Sequence, residues 1–152
     1  LAAVIDTSLS PVRNWSSNHQ DGRERVMELF QNTFPRFKEY EREMRAALQL
    51  ALEHEALEHA GLLEEEPFRR GHRIRILSAA LEPFKKQLPS PLFKKLHKAL
   101  SIVYGFEPYV VLKDIWGCGD REVEVIARWV ASAIIDAALR EADTSKKPAL
   151  AR

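Results

Sequence analysis

Cysteine, glycine and net charge are all scarce in this chain of 152 residues. The single cysteine, Cys118, excludes an internal disulfide framework and is typical of a reducing cytosol. The formal net charge is +1, so no strong overall field attracts nucleic acid or an anionic membrane. No apolar run approaches the roughly 20 residues that span a bilayer, and no secretory signal is visible. We therefore expect a cytoplasmic protein with no membrane association.

The composition favours helices over strands. Only 6 glycines occur, whereas Leu, Ala, Glu, Lys and Arg dominate the chain. The length is that of one domain. Apolar residues recur at spacings of three and four, the helical period, and no strand pattern is present. The prediction is an all-α domain of about six helices over residues 1–142, followed by a disordered tail over residues 143–152.

Local signals place the helix boundaries. Residues 1–9 predict the end of a helix, and Trp15 in the following loop predicts a cover over the core. Asp21 is a plausible N-cap for the next helix, which Pro35 is expected to break. Further along, Pro83 should kink or end a helix near Leu81, and a bend is expected around Phe106 because Gly105 and Pro108 interrupt the helical pattern.

Residues 90–141 form the stretch around which the rest of the chain is organised. They predict two long helices joined by a tight link at residues 117–120. The second of these helices carries an apolar stripe at spacings of three and four, formed by Val123, Ile126, Val130, Ile134 and Ala137. Alanines fill much of the remaining surface of this helix. A helix that is apolar on more than one side must be covered on more than one side, and a second copy of the chain would supply the second cover.

Signals for enzymatic chemistry are weak. His54 and His59 flank Glu55, but they are five residues apart and their rings diverge by about 140°, whereas a zinc-binding helix needs a spacing of four. A solvated helix end explains them better than a metal-dependent hydrolase. The start of the last helix would lower the pKa of Cys118, but no histidine can be placed beside this thiol. We predict no enzyme activity, no metal and no cofactor.

Several short patterns of the second half of the chain occur together in one regulator family. They are a Gly-x-Glu, a Leu-x-Asp, a Gly-containing turn, and a Trp in the last helix followed by small residues, found here at Gly105, Glu107, Leu112, Asp114, Gly117, Trp129, Ala137 and Ala138. This arrangement resembles the C-terminal part of TetR-type transcriptional regulators. Residues 43–53 and the expected break at Phe34–Pro35 also resemble the middle of that regulatory domain. The resemblance covers about residues 21–142, and Pro108 departs from it because the family more often has a helix former there.

The resemblance implies the effector-binding and dimerisation domain of a repressor. In the family, the last two helices of each subunit form a four-helix bundle across a two-fold axis. The implied partners are a second copy in a homodimer, a small apolar or amphipathic effector, and operator DNA. The DNA would be bound only through an N-terminal helix-turn-helix domain that would precede Leu1.

Twelve residues are the predicted sites of this domain. The effector candidates are Phe30, Phe34, Met44, Leu77, Phe84 and Tyr104, and a kinked helix would leave room between the helices for an apolar ligand. The expected dimer contacts are Val111, Val123, Ile126, Val130, Ile134 and Ala137. The alternative is a stand-alone helical interaction module that has a solid core and binds no ligand.

Overall fold

The computed structural model describes residue 12, residues 14–68 and residues 72–146. These residues contain six α-helices, one 3-10 helix and no strand, which confirms the all-α prediction. The helices are α1 (Gly22–Glu39), α2 (Glu41–His59), α3 (His72–Ala80), the 3-10 helix (Glu82–Lys86), α4 (Ser90–Val103), α5 (Phe106–Trp116) and α6 (Asp120–Lys146). The helix predicted over residues 1–9 lies outside the described residues.

Helix α1 forms the centre of the core and contacts α2, α3, the 3-10 helix and α6. Asp21 caps its start as predicted, because the carboxylate accepts a hydrogen bond of 3.0 Å from the backbone N–H of Glu24. Before this cap, Trp15 is half-buried against the core, and the guanidinium of Arg25 lies 5.7 Å from the centre of its ring. The predicted cover over the core is therefore confirmed.

The predicted helix break at Pro35 is wrong. Helix α1 continues through this residue to Glu39, and the chain turns at Tyr40 instead. Pro35 is exposed, so the carbonyl that loses its helical hydrogen bond lies on the solvent side of α1, where water can replace the missing donor. The apolar face formed by Phe30, Phe34 and Phe37 holds the helix together on its inner side.

The two other interruptions occur where they were predicted. Helix α3 ends at Ala80, and Pro83 lies in the first turn of the 3-10 helix, where proline needs no backbone donor. Gly105 separates α4 from α5 with φ +138° and ψ −172°, a backbone conformation that is essentially restricted to glycine. Pro108 lies in the first turn of α5 and does not disturb it.

Helix α6 lies against α1, α4 and α5 through a row of small and branched residues. The buried row consists of Val123, Ala127, Ala131, Ile135, Ala138 and Ala142. The predicted stripe shares only Val123 with it, because the alanines allow α6 to approach its neighbours more closely than the bulkier residues would. The predicted tail is wrong over residues 143–146, which belong to α6, and its remainder lies outside the described residues. No described helix is long and apolar enough to cross a bilayer.

Candidate effector pocket and dimer surface

The six effector candidates are all buried, and three of them are in direct contact. The ring of Phe30 stacks on Phe34 with a centroid distance of 5.4 Å and lies 5.3 Å from the ring of Tyr104. Met44 and Leu77 are buried on α2 and α3, the helices that contact α1. These rings form an apolar cluster between α1 and the end of α4.

Phe84 belongs to another part of the core. Its ring lies against Gly22 so closely that a methyl group at that position would collide with it. Gly22 precedes Phe30 by eight residues, which is about 12 Å along the axis of α1. Phe84 therefore packs at the other end of α1, away from the cluster that Phe30, Phe34 and Tyr104 form.

A pair of hydroxyl groups lies inside this apolar cluster. The Oγ1 atom of Thr33 donates to the carbonyl of Leu29 at 2.8 Å, and it lies 3.0 Å from the hydroxyl of Tyr104. Since the one proton of Thr33 is used on Leu29, the hydroxyl of Tyr104 is the donor of the second bond. Burial raises the pKa of Tyr104 to about 12, so this hydroxyl is neutral at physiological pH. The pair places two hydroxyl oxygens inside an otherwise apolar cluster.

A row of aromatic rings connects the apolar cluster to α5. Phe37 lies 5.1 Å from Phe34, 5.5 Å from Phe106 and 5.6 Å from Tyr109, measured between ring centres. Sequence reasoning did not connect Phe37 to Phe106 or Tyr109, because these residues are about 70 positions away in the chain. The row gives a continuous packed path from α1 to α5.

The row ends in a polar network between α2, α5 and α6. The hydroxyl of Tyr109 donates to the carboxylate of Asp120, and the Nζ atom of Lys113 lies 3.3 Å from Asp120 and 3.2 Å from Glu41. The hydrogen bond from Tyr109, with a further contribution from Lys113, lowers the pKa of Asp120. Burial and the neighbouring Asp120 raise the pKa of Tyr109. The network ties the start of α6 to α2 and α5.

A second ion pair joins α2 to α5. Arg45 donates two hydrogen bonds, of 2.8 and 2.6 Å, to the carboxylate of Asp114, and one of 3.0 Å to Glu41. The spacing of four between Glu41 and Arg45 indicates one of these contacts from the sequence. The contact with Asp114 depends on the fold and was missed by sequence reasoning.

Five large apolar side chains are exposed on α5 and α6, and we refer to these five residues together as the outer face. It consists of Val111, Ile115, Trp116, Val125 and Trp129. Trp116 and Trp129 are 74% and 73% exposed. Val111 and Val125 are the same number of residues away from the link at residues 117–119. They therefore lie at similar distances from this link along the axes of α5 and α6. Helix α6 thus exposes two large apolar side chains, Val125 and Trp129, on the side opposite its buried row.

The outer face includes only one of the predicted dimer residues, Val111. Val123 is 0% exposed and lies in the chain's own core, so its prediction as a dimer contact is wrong. The half-buried predicted residues and the exposed Ala137 lie along the side of α6 next to the outer face; the half-buried ones are Ile126, Val130 and Ile134. Sequence reasoning missed the four others, Ile115, Trp116, Val125 and Trp129, although a tryptophan opposite the buried row of α6 is the signal that would have identified the last of them.

A cleft of about 250 Å³ lies between α4 and α6. Its apolar lining consists of Leu92, Leu96, Ala99, Ile134, Ala137 and Ala138. Lys95 and Glu141 also line the cleft, where they form an ion pair of 3.1 Å. We call it the α4–α6 cleft.

One of the residues considered for enzymatic chemistry, His54, has a structural role. His54 is buried, which corrects its prediction as part of a solvated helix end, and its Nδ1 atom accepts a hydrogen bond of 2.9 Å from the backbone N–H of Phe68. Among the described residues, no group of three or more potential ligands is placed to hold a metal ion. Desolvation, together with the nearby Glu122, raises the pKa of Cys118, whereas a lowered pKa was expected. A raised pKa makes this thiol a poorer nucleophile at neutral pH.

Comparisons with known proteins give no match: no family model, no curated protein and no solved structure is similar to this chain. The TetR-type resemblance is therefore carried only by the residues quoted for it above.

Proposed function

We propose that this chain is the effector-binding and dimerisation domain of a TetR-type transcriptional repressor that acts in the cytoplasm as a homodimer. A small apolar or amphipathic effector binds among the inner helices and favours one arrangement of the two subunits over another. That change alters the spacing of the DNA-reading helices in an N-terminal domain. The observation that carries this proposal is the exposed outer face of α5 and α6.

The size and composition of the outer face support self-association. A tryptophan contributes about 150–250 Å² when it is fully buried. Given the exposed fractions of Trp116 and Trp129, these two side chains offer roughly 220–370 Å². A stable interface buries about 800 Å² per partner, so the two tryptophans supply a large share, and Val111, Ile115 and Val125 add to it. Tryptophan is enriched among the hot spots of protein interfaces.

The inner cluster supports the effector site. Phe30, Phe34 and Tyr104 provide apolar and aromatic surface, and the hydroxyl pair of Thr33 and Tyr104 provides one oriented polar contact, the combination found in small-molecule sites. The aromatic row from Phe34 through Phe37 to Tyr109 reaches the helix that carries part of the outer face. A ligand that displaces the first rings of this row would shift α5, and with it the arrangement of the subunits.

Sedimentation equilibrium of two matched variants tests the dimer. Ile115→Lys places a charge in the outer face, whereas Leu62→Lys places one at an equally exposed position in the turn after α2; the two side chains are 71% and 66% exposed. An unpaired charge buried at an interface costs about 3 kcal/mol or more, so Ile115→Lys should raise the dimer dissociation constant at least about 100-fold. Leu62→Lys should leave it unchanged. A wild-type chain that stays monomeric at tens of micromolar would refute the homodimer.

A thermal-shift screen of apolar small molecules tests the effector site. A ligand at about 100 times its dissociation constant stabilises the native state by about 2.7 kcal/mol, which raises Tm by roughly 5–11 °C for a domain of this size. Tyr104→Phe keeps the ring but removes the hydroxyl, so it should weaken the binding of amphipathic hits more than that of purely apolar ones. An equal effect on both kinds of hit would place the ligand elsewhere.

A second candidate function is a helical interaction module that binds no ligand. The observation that favours it is the close packing of Phe30 on Phe34 and Tyr104. The ring centres lie 5.3–5.4 Å apart, the separation of favourable aromatic pairs, so each ring already has its packing partners without a ligand. This module would dimerise through the same outer face. A screen without hits, together with a dimer that Ile115→Lys disrupts, would favour this second function over the first.

A further inference from the structure

The charged residues of this chain are segregated along the sequence. Residues 67–106 contain nine lysines and arginines but only one acid, Glu82, whereas residues 39–66 contain nine acids and two arginines. The first range supplies α3, the 3-10 helix and α4, and these three elements contact one another. The net charge of +1 therefore hides one strongly basic part of the fold.

Five exposed lysines of this basic part lie on the 3-10 helix and the first half of α4, and we call them the lysine group: Lys85, Lys86, Lys94, Lys95 and Lys98. On α4, Lys94, Lys95 and Lys98 fall within an arc of about 100°, on the side opposite the buried leucines of this helix. The Nζ atom of Lys85 lies 5.9 Å from the centre of the Phe93 ring, so the 3-10 helix places this lysine beside the first turn of α4.

Few acids balance the charge of the lysine group. Lys85 pairs with Glu82 at 2.8 Å, and Lys95 pairs with Glu141 at 3.1 Å. All four side chains are exposed to solvent, where ion pairs are weak and open easily. The three other lysines form no ion pair with any residue that the structure describes: Lys86, Lys94 and Lys98.

The lysine group lies at the end of the fold where α1 begins. The ring of Phe84, the residue directly before the group, packs against Gly22, the first residue of α1. Arg23 pairs with Asp136 of α6, and Glu141, which contacts the lysine group, lies about 8 Å further along α6. In the proposed function the DNA-reading domain precedes α1 in the chain, so it is connected to this same end of α1.

The chemistry of lysine favours phosphate over other anionic surfaces. Lysine is depleted from the cores of protein–protein interfaces, whereas it is one of the two residues that neutralise the phosphates of nucleic acids. A helix that binds an anionic membrane inserts large apolar side chains beside its basic ones. The 3-10 helix and α4, which the structure describes in full, expose only one large apolar side chain, Ile102. A phosphate backbone is therefore the partner that this surface fits.

We infer that the lysine group binds the phosphate backbone of duplex DNA without reading its sequence. This goes beyond the proposed function, in which DNA is bound only through an N-terminal domain, and it uses neither the effector site nor the dimer contacts. Duplex DNA carries one negative charge per about 1.7 Å of its axis, and each lysine that contacts a phosphate releases condensed counterions. The contact adds the same affinity at every DNA sequence, because phosphates carry no sequence information.

Fluorescence anisotropy of a labelled duplex of mixed sequence, titrated with the whole chain, tests this inference. With three to five phosphate contacts, the slope of log K against log salt should be about −2.7 to −4.5. The dissociation constant should therefore rise about 40- to 500-fold between about 50 and 200 mM NaCl. A second duplex of equal length and different sequence should give the same constant.

Two double variants of equal charge locate the contact. Lys94→Gln with Lys98→Gln removes two phosphate contacts without breaking an ion pair, so the salt slope should become less steep by about 2. The matched control is Lys38→Gln with Arg121→Gln, which removes the same charge from exposed residues. Lys38 lies about 24 Å from Gly22 along α1, and Arg121 lies at the start of α6, far from Glu141. The control should bind DNA with the slope of the wild type.

Three results would overturn the inference. The first is an absence of DNA binding at about 50 mM NaCl and protein concentrations up to about 100 μM. The second is an equal change of slope in the two double variants. The third is tighter binding of polyglutamate, or of vesicles that contain phosphatidylserine, than of DNA. None of these results affects the proposed homodimer or effector site, which are tested without DNA. A monomeric chain that binds DNA through the lysine group would instead refute the homodimer and leave this inference in place.

Discussion

Gly105→Ala is expected to lower the free energy of unfolding for two independent reasons, a strained backbone and a steric collision. The φ of +138° and ψ of −172° lie in a region that is essentially restricted to glycine, which costs about 1–3 kcal/mol for any other residue. An added methyl group would also collide with the guanidinium of Arg73. This guanidinium donates to the carbonyl of Ser101 at 3.0 Å and forms an ion pair with Glu107. It therefore cannot move aside without losing bonds that are together worth about 1–2 kcal/mol.

The expected total is about 3 kcal/mol, which corresponds to a fall in Tm of roughly 6–12 °C for a domain of this size. Urea unfolding should show a lower midpoint and an unchanged m-value. Gly117→Ala is the matched control, since Gly117 has φ +66° and nothing within 4 Å of the added methyl group. It should cost only about 1–2 kcal/mol, the penalty of the left-handed backbone.

The collision can be isolated with a double-mutant cycle. In an Arg73→Ala background, Gly105→Ala should retain the backbone cost and lose the cost of the collision, so the coupling free energy between the two sites should be about 1–2 kcal/mol. A cost for Gly105→Ala that equals the cost of Gly117→Ala, with no coupling to Arg73, would refute the reasoning. It would mean that the guanidinium does not hold the junction of α4 and α5.

Two further predictions concern titratable groups. The hydrogen bond from Tyr109 lowers the folded-state pKa of Asp120, so this pair stabilises the fold above the ordinary pKa of aspartate and loses that contribution as the pH falls through the lowered value. Urea unfolding between about pH 5 and pH 2 should therefore show a loss of stability that is smaller in Tyr109→Phe; an identical loss in both proteins would contradict this assignment. The raised pKa of Cys118 predicts slower alkylation by iodoacetamide at pH 7 than that of a free cysteine. Glu122→Gln should speed this reaction, and an unchanged rate would show that the carboxylate has no influence on the thiol.

Much of the fold was predictable because its signals are local. The caps, the helical spacing of apolar residues and the glycine at position 105 predicted most helices and the bend between α4 and α5. Pro35 was misleading because the free-energy cost of a proline inside a helix depends on whether the proline faces solvent. The residues packed on the opposite side of α1 decide this. His54 was placed in solvent for a similar reason, since the hydrogen bond that holds it comes from Phe68, beyond the end of its own helix.

The sequence by itself determined that this protein is helical and that its last helix has more apolar surface than one inward side requires. Only the tertiary structure decided which residues of α6 face inward. Alanines suit either side of a helix, and the row that includes Ala127 and Ala131 is buried because it lets α6 lie close to α1 and α4. That choice leaves Trp129 on the outside. A periodic pattern shows that a helix has an apolar side, but the neighbouring helices determine which side it is.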